Sequence, residues 1–220
     1  MQIRTKEEFI DCVARERAWR VKELAALKNM LELSNLQHSR REALNKSSVA
    51  LLYAHWEGFV KKAGGYFLEY VAMQRLKLNE LQPCFISLIL KSRIDEASAS
   101  KKYSVFGDIA VKLTSGHDAK IAVPYKNIID TQSNLSSSVL REILLCLGLD
   151  YSFYEPKQKW IDAKLVNRRN HVAHGNDLGL DTDDVLAMFA EVISLIDLFR
   201  TLIENSAVTA GYKRTVGTGL

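Results

Sequence analysis

Helix-breaking residues are scarce in this chain. Only 11 of its 220 residues are glycine and 3 are proline, and because sheet-rich proteins need many turn residues, this composition favours helices. Hydrophobic residues make up 47 % and charged residues 25 %, close to the averages of globular proteins, so a full core can form. The length suits one large domain, or one domain with an insertion.

Cysteine and long apolar runs are scarce as well. Cys12, Cys84 and Cys146 lie far apart and form no paired pattern, so we expect reduced, mostly buried thiols. The first residues lack the apolar core of a signal peptide, and no run reaches the roughly 18 apolar residues of a membrane span. We therefore expect a soluble, cytoplasmic protein with no membrane partner. The net charge of +4 permits contact with a polyanion but does not require it.

Two long amphipathic helices are predicted in the first third of the chain. A capping box at Thr5 begins the first, which runs to about Leu36. Apolar residues spaced three or four apart over 49–71 predict the second. The Gly64-Gly65 pair falls inside it, and we interpret this pair as a close approach of a neighbouring helix rather than as a functional hinge.

Two further helices are predicted near the end of the chain. One begins near Pro156 and stops at about His174. Thr182 caps the other, whose apolar stripe includes Phe189 and Phe199. Together with the first pair, these helices present four apolar stripes, and a four-helix bundle buries all of them. The predicted fold class is therefore all-α.

The stretch from about 79 to 154 is less regular, and we interpret it as a partly helical insertion between the two helix pairs. We expect helices over 85–94 and 103–113, a turn at 114–118, one strand over 119–125, and a helix capped by Ser136–Ser138 and ended by Gly148. The chain then forms a single domain over 1–210. The glycine- and threonine-rich tail, 211–220, is expected to be disordered.

Arg169 is the residue that most needs an explanation. On a helical wheel it falls within the apolar face formed by residues such as Ile161, Leu165 and Ala173. A buried guanidinium must be paired or solvated, since desolvating it alone costs several kcal/mol. Three explanations stay open: a salt bridge, with Glu57 as a candidate partner; a cleft in the bundle that Arg169 lines; or the phosphate of a substrate.

Other polar residues cluster at the same end of the helix. Arg168, His171 and His174 share the last turn with Arg169, where the helix dipole favours each positive charge by roughly 0.3–1 kcal/mol. Capping does not explain Asn170, which lies beside Arg169 and within reach of His174. We therefore expect Arg169, Asn170 and His174 to carry chemistry.

The surrounding segment is locally positive, so we expect Arg168 and Lys164 to bind a polyanionic substrate. His171 and His174 could ligate a metal, but no third ligand stands at a useful spacing. No glycine-rich phosphate loop is present, and neither a metal nor a cofactor is expected. We interpret His55, in the second helix, as a packing residue.

The run from Arg169 to His174 and three further blocks carry a resemblance to a known family. The run Arg169-Asn170-His171-Val172-Ala173-His174 resembles the signature of the HEPN superfamily (higher eukaryotes and prokaryotes nucleotide-binding), in which an Arg and an often polar neighbour precede a His; here four residues intervene. The other matching segments resemble a bacterial, defence-associated subfamily, and they are Leu51-Leu52-Tyr53-Ala54-His55-Trp56-Glu57-Gly58-Phe59, Ser133-Asn134-Leu135 with Val139-Leu140-Arg141-Glu142-Ile143-Leu144, and Leu165-Val166 with Ala173-His174-Gly175. They follow the family's order over most of the chain.

The resemblance implies a HEPN-type helical bundle that forms a homodimer, with two Arg-His motifs across a shared cleft. Many such proteins are metal-independent endoribonucleases of toxin–antitoxin, abortive-infection and other antiphage systems. Carried over by position, Arg169 and His174 match the catalytic pair and Asn170 the adjacent polar residue. RNA is then the expected substrate. A neutralising antitoxin or another defence-system protein is an expected partner, since an unrestrained nuclease would harm its host.

The chemistry of these residue types is consistent with RNA cleavage. RNA carries its own nucleophile, the 2′-hydroxyl, and histidine can accept or donate a proton near neutral pH. A guanidinium can bind the phosphate and stabilise its growing charge. Two alternatives stay open: a non-catalytic HEPN module for nucleotide binding, dimerisation or partner-protein binding, and an inert structural protein whose cations only cap a helix.

Overall fold

Helices dominate the part of the chain that the structure describes. The computed structural model describes residues 2–33, 37–100, 103–104, 106–107, 110–111, 120, 122–176 and 179–214. In chain order the main helices are α1 (Lys6–Glu32), α2 (His38–Met73), α3 (Pro83–Ser100), α4 (Ser137–Leu147), α5 (152–173) and α6 (Thr182–Val208). No strand occurs in these ranges, which confirms the all-α prediction. None of the helices described is long and apolar enough to cross a membrane.

The helix α2 lies at the centre of the bundle. It packs against α1, α6 and the last part of α5, while α4 packs against both α2 and α3. Its apolar stripe is buried because these helices pack against it. Trp56 and Phe59 of α2 both meet the ring of Phe199 on α6 edge-on, at centroid distances of 6.4 and 6.3 Å. This arrangement agrees with the predicted helical bundle, with α3 and α4 inside the predicted insertion.

Most predicted helix boundaries near caps are correct. Thr5 forms the capping box of α1 with Glu8, as predicted. Ser136 caps α4, and Gly148 ends it in a left-handed conformation with φ of 69°, also as predicted. However, α1 ends at Glu32 rather than near Leu36, and residues 34–36 lie outside the described residues.

The helix α2 continues through Gly64 and Gly65 without a break. A Cβ atom added at Gly64 would lie 3.3 Å from Cγ1 of Ile129 and 3.5 Å from Cδ1 of Leu147 on α4. The predicted close approach is therefore confirmed at Gly64. At Gly65 it is wrong, because an added Cβ would meet nothing within 4 Å.

The helix α5 is irregular and begins earlier than predicted. Its first turn is a 3-10 helix over Ser152–Lys157, so Pro156 lies inside the helix rather than at its start. The carboxylate of Asp150 starts this turn by accepting hydrogen bonds from the backbone N–H and the hydroxyl of Ser152, at 2.8 and 2.6 Å. A π-helical turn over Ile161–Val166 separates two α-helical stretches, Gln158–Trp160 and Asn167–Ala173.

The predicted N-cap of the last helix is wrong by one residue. Asp181 occupies the cap position, and Thr182 is the first residue of α6. The hydroxyl of Thr182 instead accepts a hydrogen bond from Nδ2 of the buried Asn45, at 3.2 Å. A tertiary contact with α2 has therefore replaced the local cap.

The insertion contains no strand where the structure describes it. Over the predicted strand 119–125, Lys120 makes only an isolated bridge with Lys77, and 122–125 is irregular, so the prediction is wrong there. Positions 119 and 121 lie outside the described residues, as does the predicted turn at 114–118. Within the predicted helix 103–113, the residues that the structure describes are helical.

Residues 211–214 pack against the bundle, so the predicted disordered tail is wrong over this range. Tyr212 is 5 % exposed and its ring meets that of Tyr70 edge-on, at 5.6 Å between centroids. The backbone N–H of Arg214 donates to the carbonyl of Glu80 at 2.8 Å. Burial of an aromatic ring holds this segment against α2. Residues 215–220 lie outside the described residues.

The three cysteines are free thiols, but they are partly rather than fully buried. The predicted free thiols are therefore confirmed, but the prediction that they are mostly buried is wrong. Burial raises the pKa of both Cys84 and Cys146 to about 11. These two thiols stay protonated at neutral pH and are weak nucleophiles there.

The aromatic contact between α2 and α6 gives the first prediction. Phe199 is fully buried, and Phe199→Ala should lower the free energy of unfolding by about 3–5 kcal/mol, because it removes a buried ring and leaves a cavity. Urea unfolding measures this difference. Phe153, which is 55 % exposed, supplies the matched control, and Phe153→Ala should change stability little. Equal stability of Phe199→Ala and the parent protein would contradict the packing described.

Candidate functional site

Arg169, Asn170 and His171 lie on the last α-helical stretch of α5. That stretch ends with His174 at the C-cap and Gly175 in a left-handed conformation, with φ of 72°. The N–H of Asn176 donates to the carbonyl of His171 at 3.0 Å, and the N–H of Gly175 to that of Val172 at 3.1 Å. These two bonds form a Schellman motif, which requires a residue such as glycine at position 175.

The π-helical turn changes which residues of α5 face the core. Ile161 and Leu165 are buried as the helical wheel predicts, but Ala173, placed on the same face, is exposed. The wheel assumed a constant rotation per residue, whereas a π turn holds an extra residue and rotates everything after it. Arg169 is consequently half-buried at the edge of the bundle rather than in the middle of its core.

The guanidinium of Arg169 is held by neutral groups. Its carbon Cζ lies 3.8 Å from the centroid of the Tyr53 ring. Its Nη2 donates to the carbonyl of Ser133 at 2.7 Å and to Oδ1 of Asn134 at 3.3 Å. We call Tyr53, Ser133 and Asn134 the Arg169 cradle. The predicted salt bridge with Glu57 is absent among the described ion pairs, so that explanation of Arg169 is wrong.

Tyr53 connects α2 to the loop that carries the rest of the cradle. Its hydroxyl oxygen accepts a hydrogen bond from the backbone N–H of Leu135, at 2.6 Å. Burial raises the pKa of Tyr53, although the hydrogen bond from Leu135 opposes this effect. The phenol therefore stays neutral, and the negative face of its ring attracts the Arg169 guanidinium.

The loop that precedes α4 is held in an uncommon backbone conformation. Gln132 and Ser133 both have a φ of 52°, in the left-handed region that side chains other than glycine rarely adopt. Such residues persist only where their surroundings fix them. Asp162 of α5 provides one fixing point, because its carboxylate accepts the N–H and the hydroxyl of Ser137, at 2.7 and 2.6 Å. The Arg169 guanidinium provides the other.

Of the other two predicted catalytic residues, Asn170 contacts the Arg169 cradle and His174 is exposed. Nδ2 of Asn170 lies 3.4 Å from Oδ1 of Asn134, so Asn170 joins the cradle through a long hydrogen bond. His174 is exposed, and its imidazole has no hydrogen bond among the described residues. His171, which we left without a role, is paired with the side chain of Asn176 at 3.1 Å.

Of the two predicted substrate-binding cations, Arg168 forms an ion pair and Lys164 does not among the described residues. Nη2 of Arg168 donates to the carboxylate of Asp184 at 2.7 Å, and this ion pair lowers the pKa of Asp184. Glu191 neutralises Lys157 in the same way, at 2.9 Å. Both carboxylates lie on α6, so the sequence of α5 alone overstated the local positive charge. Lys164 is exposed and makes no ion pair within the described residues.

His55 is buried, as predicted, but it belongs to a charged cluster on the α1 side of α2. Nη1 of Arg20 donates to the carbonyl of His55 at 3.2 Å, and Nη2 pairs with Glu16 at 2.6 Å. Gly58 makes room for this guanidinium, since an added Cβ would lie 2.8 Å from Nη1. Burial lowers the pKa of His55, against the opposing effect of Glu23. The cluster lies on the side of α2 away from Tyr53, because Tyr53 and His55 are two positions apart in the helix.

Our reasoning from the sequence missed Tyr53 and Asn134 as site residues. Both lie in segments that carry the family resemblance, Leu51–Phe59 and Ser133–Leu135. Their position in these segments was the only sign in the sequence that they could belong to the site. The resemblance does not show where either side chain points, because the loop's backbone conformation and the contact between α2 and α5 are tertiary features.

The fold and the site define an all-helical bundle protein with an Arg-to-His motif at the end of its penultimate helix. The family model of RiboL-PSP-HEPN matches residues 15–205, most of the chain. The protein therefore belongs to this family of the HEPN superfamily, which confirms the resemblance. Membership is consistent with a function related to nucleotides or RNA. No curated protein and no solved structure matches the chain.

The hydroxyl of Tyr53 gives the second prediction. Tyr53→Phe keeps the ring under Arg169 but leaves the buried N–H of Leu135 without an acceptor. The variant should lose about 1–3 kcal/mol of unfolding free energy, the usual cost of an unsatisfied buried donor. Urea unfolding tests this, with Tyr103→Phe as the control because Tyr103 is 93 % exposed. A Tyr53→Phe protein as stable as its parent would mean that the hydroxyl does not hold the loop.

Proposed function

We propose that this protein is a metal-independent endoribonuclease in which Arg169 binds the phosphate and His174 transfers a proton. The observation that carries this proposal is the neutrality of the Arg169 cradle. A tyrosine ring, a carbonyl and an amide orient the guanidinium without cancelling its charge. A structural arginine in a half-buried position usually pairs with a carboxylate, as Arg168 does. Arg169 therefore keeps its charge for an anion.

The proposed reaction uses the nucleophile of the RNA itself. The 2′-oxygen attacks phosphorus while an imidazole accepts its proton, and the bond from phosphorus to the 5′-oxygen breaks as that oxygen receives a proton from a second acid. The products are a 2′,3′-cyclic phosphate and a 5′-hydroxyl. Arg169 stabilises the charge that grows on the non-bridging oxygens. His174 suits the proton transfer because it is exposed and its imidazole is unpaired among the described residues.

The geometry of one chain favours a site shared between two chains. Arg169 and His174 are five positions apart, so their side chains leave the helix in directions that differ by about 140°. No hydrogen bond joins them in the described structure. A homodimer about a twofold axis could place Arg169 of one protomer and His174 of the other on the same phosphate.

The biological role follows from the reaction class. An RNA-cleaving protein of this kind would act as a toxin or an antiphage effector in the cytoplasm. Its partners would then include RNA, a second copy of itself, and a neutralising antitoxin or another defence-system protein. Asn170 would help to orient Arg169 through the shared contact with Asn134. Lys164, exposed and unpaired among the described residues, would contact the RNA backbone, whereas Arg168 would contribute less because Asp184 holds it.

The third prediction concerns cleavage. The purified protein should cut single-stranded RNA in EDTA and leave DNA of the same sequence intact, because DNA lacks the 2′-hydroxyl. His174→Ala should lower the rate by roughly 10²–10⁴-fold, the usual loss of a general acid or base. Arg169→Lys should restore only part of the activity lost in Arg169→Ala, since lysine lacks the planar fork. Gel analysis of labelled RNA measures these rates.

His171→Ala is the matched control for His174→Ala, because it removes a neighbouring imidazole that is already paired with Asn176. It should leave the rate within a few-fold of the parent. Melting curves should show that every variant is folded. Cleavage that needs added Mg²⁺ or survives His174→Ala would overturn the mechanism. RNA or nucleotide binding without cleavage would favour the alternative of a non-catalytic HEPN module.

The fourth prediction tests the shared site. Neither Arg169→Ala nor His174→Ala should cut RNA alone, but a mixed dimer would contain one site with both groups intact. Random exchange of subunits should therefore restore about a quarter of the parent activity, since half of the dimers are mixed and each has one of two sites. Light scattering should show a dimer. A strict monomer, or an inactive mixture after confirmed subunit exchange, would contradict this arrangement.

A further inference from the structure

A cleft opens beside the Arg169 cradle, on the outer side of the loop and α4. Its volume is about 360 Å³, within the range of about 300–1,000 Å³ that is common for sites of small ligands. The residues that matter for its chemistry are Gln132, Ser138, Arg141, Glu142, Tyr151 and Gln158. We call it the Arg141 cleft. None of these residues takes part in the proposed reaction.

The Arg141 cleft contains a guanidinium that lies over a tyrosine ring. The guanidinium carbon of Arg141 lies 4.4 Å from the centroid of the Tyr151 ring. Arg141 is exposed, whereas Tyr151 is only 8 % exposed and cannot move freely. The tyrosine therefore supports the guanidinium on one side, while the Arg141 residue as a whole stays exposed. No carboxylate pairs with Arg141 among the described ion pairs. Planar bases of single-stranded RNA commonly stack on arginine planes of this kind.

The edges of the Arg141 cleft can donate and accept hydrogen bonds. Gln132 and Gln158 carry amides with both a donor and an acceptor group, and Ser138 carries a hydroxyl. Glu142 adds an acceptor that suits an amino or imino N–H of a base. This set of groups fits the edge of a nucleobase better than it fits a phosphate, because the carboxylate would repel an anion.

The cleft and Arg169 contact neighbouring residues of the loop before α4. Gln132 lines the cleft, and the next residue, Ser133, accepts the hydrogen bond from Arg169. Adjacent Cα atoms are about 3.8 Å apart, so the two sites contact neighbouring residues of the same loop. Asp162 of α5 fixes the start of α4 next to this loop, because its carboxylate accepts two hydrogen bonds from Ser137.

We propose that the Arg141 cleft binds an unpaired base next to the phosphate held by Arg169, and that it gives the protein a base preference. This inference rests on the proposed function for the identity of the ligand as RNA. Its test measures binding rather than cleavage, so the two can fail separately. The base stacks on the Arg141 plane, and the amides of Gln132 and Gln158 contact its edge.

The fifth prediction follows from this site. Fluorescence anisotropy would compare labelled homopolymers of U, A and C on a His174→Ala background, in which the RNA stays intact. One homopolymer should bind more tightly than the others. Arg141→Ala should weaken that binding by about tenfold, within the usual range for a lost stacking contact, and should largely remove the difference between homopolymers.

Two further variants separate stacking from charge. Arg141→Lys keeps the charge but loses the plane, so it should resemble Arg141→Ala in base preference. Arg93→Ala removes an exposed arginine that is not in the cleft and pairs with Glu96 at 3.0 Å, and it should leave the preference unchanged. Melting curves on all variants confirm folding.

Three results would overturn the proposal. The first is that no homopolymer binds, or that all bind equally well to the His174→Ala protein. The second is that Arg141→Lys binds like the parent background. The third is that Arg141→Ala weakens every homopolymer by the same factor, which would indicate contact with the backbone only. Base-selective binding in a protein that never cleaves RNA would support the cleft while rejecting the nuclease.

Discussion

The guanidinium of Arg169 joins three segments that are distant in sequence. It lies on Tyr53 of α2, donates to Ser133 and Asn134 in the loop before α4, and is itself carried by α5. A partly buried guanidinium needs partners, and these contacts hold it without neutralising it, although its Nε is buried without a hydrogen bond among the described residues. The contacts of Arg169 depend on three features. These are the uncommon backbone of the loop, the π turn of α5 and the orientation of Tyr53. The shape of the candidate site therefore depends on a cation that its surroundings orient but do not cancel.

Charge around this group is more local than the sequence suggests. Two carboxylates of α6 neutralise Arg168 and Lys157, which leaves Lys159, Lys164 and Arg169 as the cations of α5 without an ion pair among the described residues. A protein that relied on a broad basic surface would bind nucleic acid mainly through counterion release. Here the cradle and the Arg141 cleft share one loop, and we propose that the first binds a phosphate and the second a base. We propose that these two sites select the substrate by orienting its phosphate and base, rather than through the total charge of the protein.

Helices and their caps were predictable because their signals are local. Thr5, Ser136 and Gly148 have the predicted roles, since each completes hydrogen bonds within a few residues of itself. The errors arise where a distant contact outweighs a local one. Thr182 bonds to Asn45 instead of capping α6, and Tyr212 packs on Tyr70 instead of belonging to a free tail. The start of α5 was misplaced because Asp150, rather than Pro156, begins its first turn.

The sequence by itself determined the all-α class, the family resemblance and the run from Arg169 to His174, because periodicity, composition and motif spacing are properties of the chain. Only the tertiary structure decided what Arg169 touches. The helical wheel placed it on the apolar face and left open a salt bridge, a cleft or a substrate phosphate, whereas in the structure it follows a π turn and contacts a ring and a loop. A turn of that kind leaves no mark in apolar spacing, since it arises from how α5 packs against α2 and α4. The environment of the charge, and with it the proposed chemistry, was therefore fixed by packing between segments rather than by the order of residues within one.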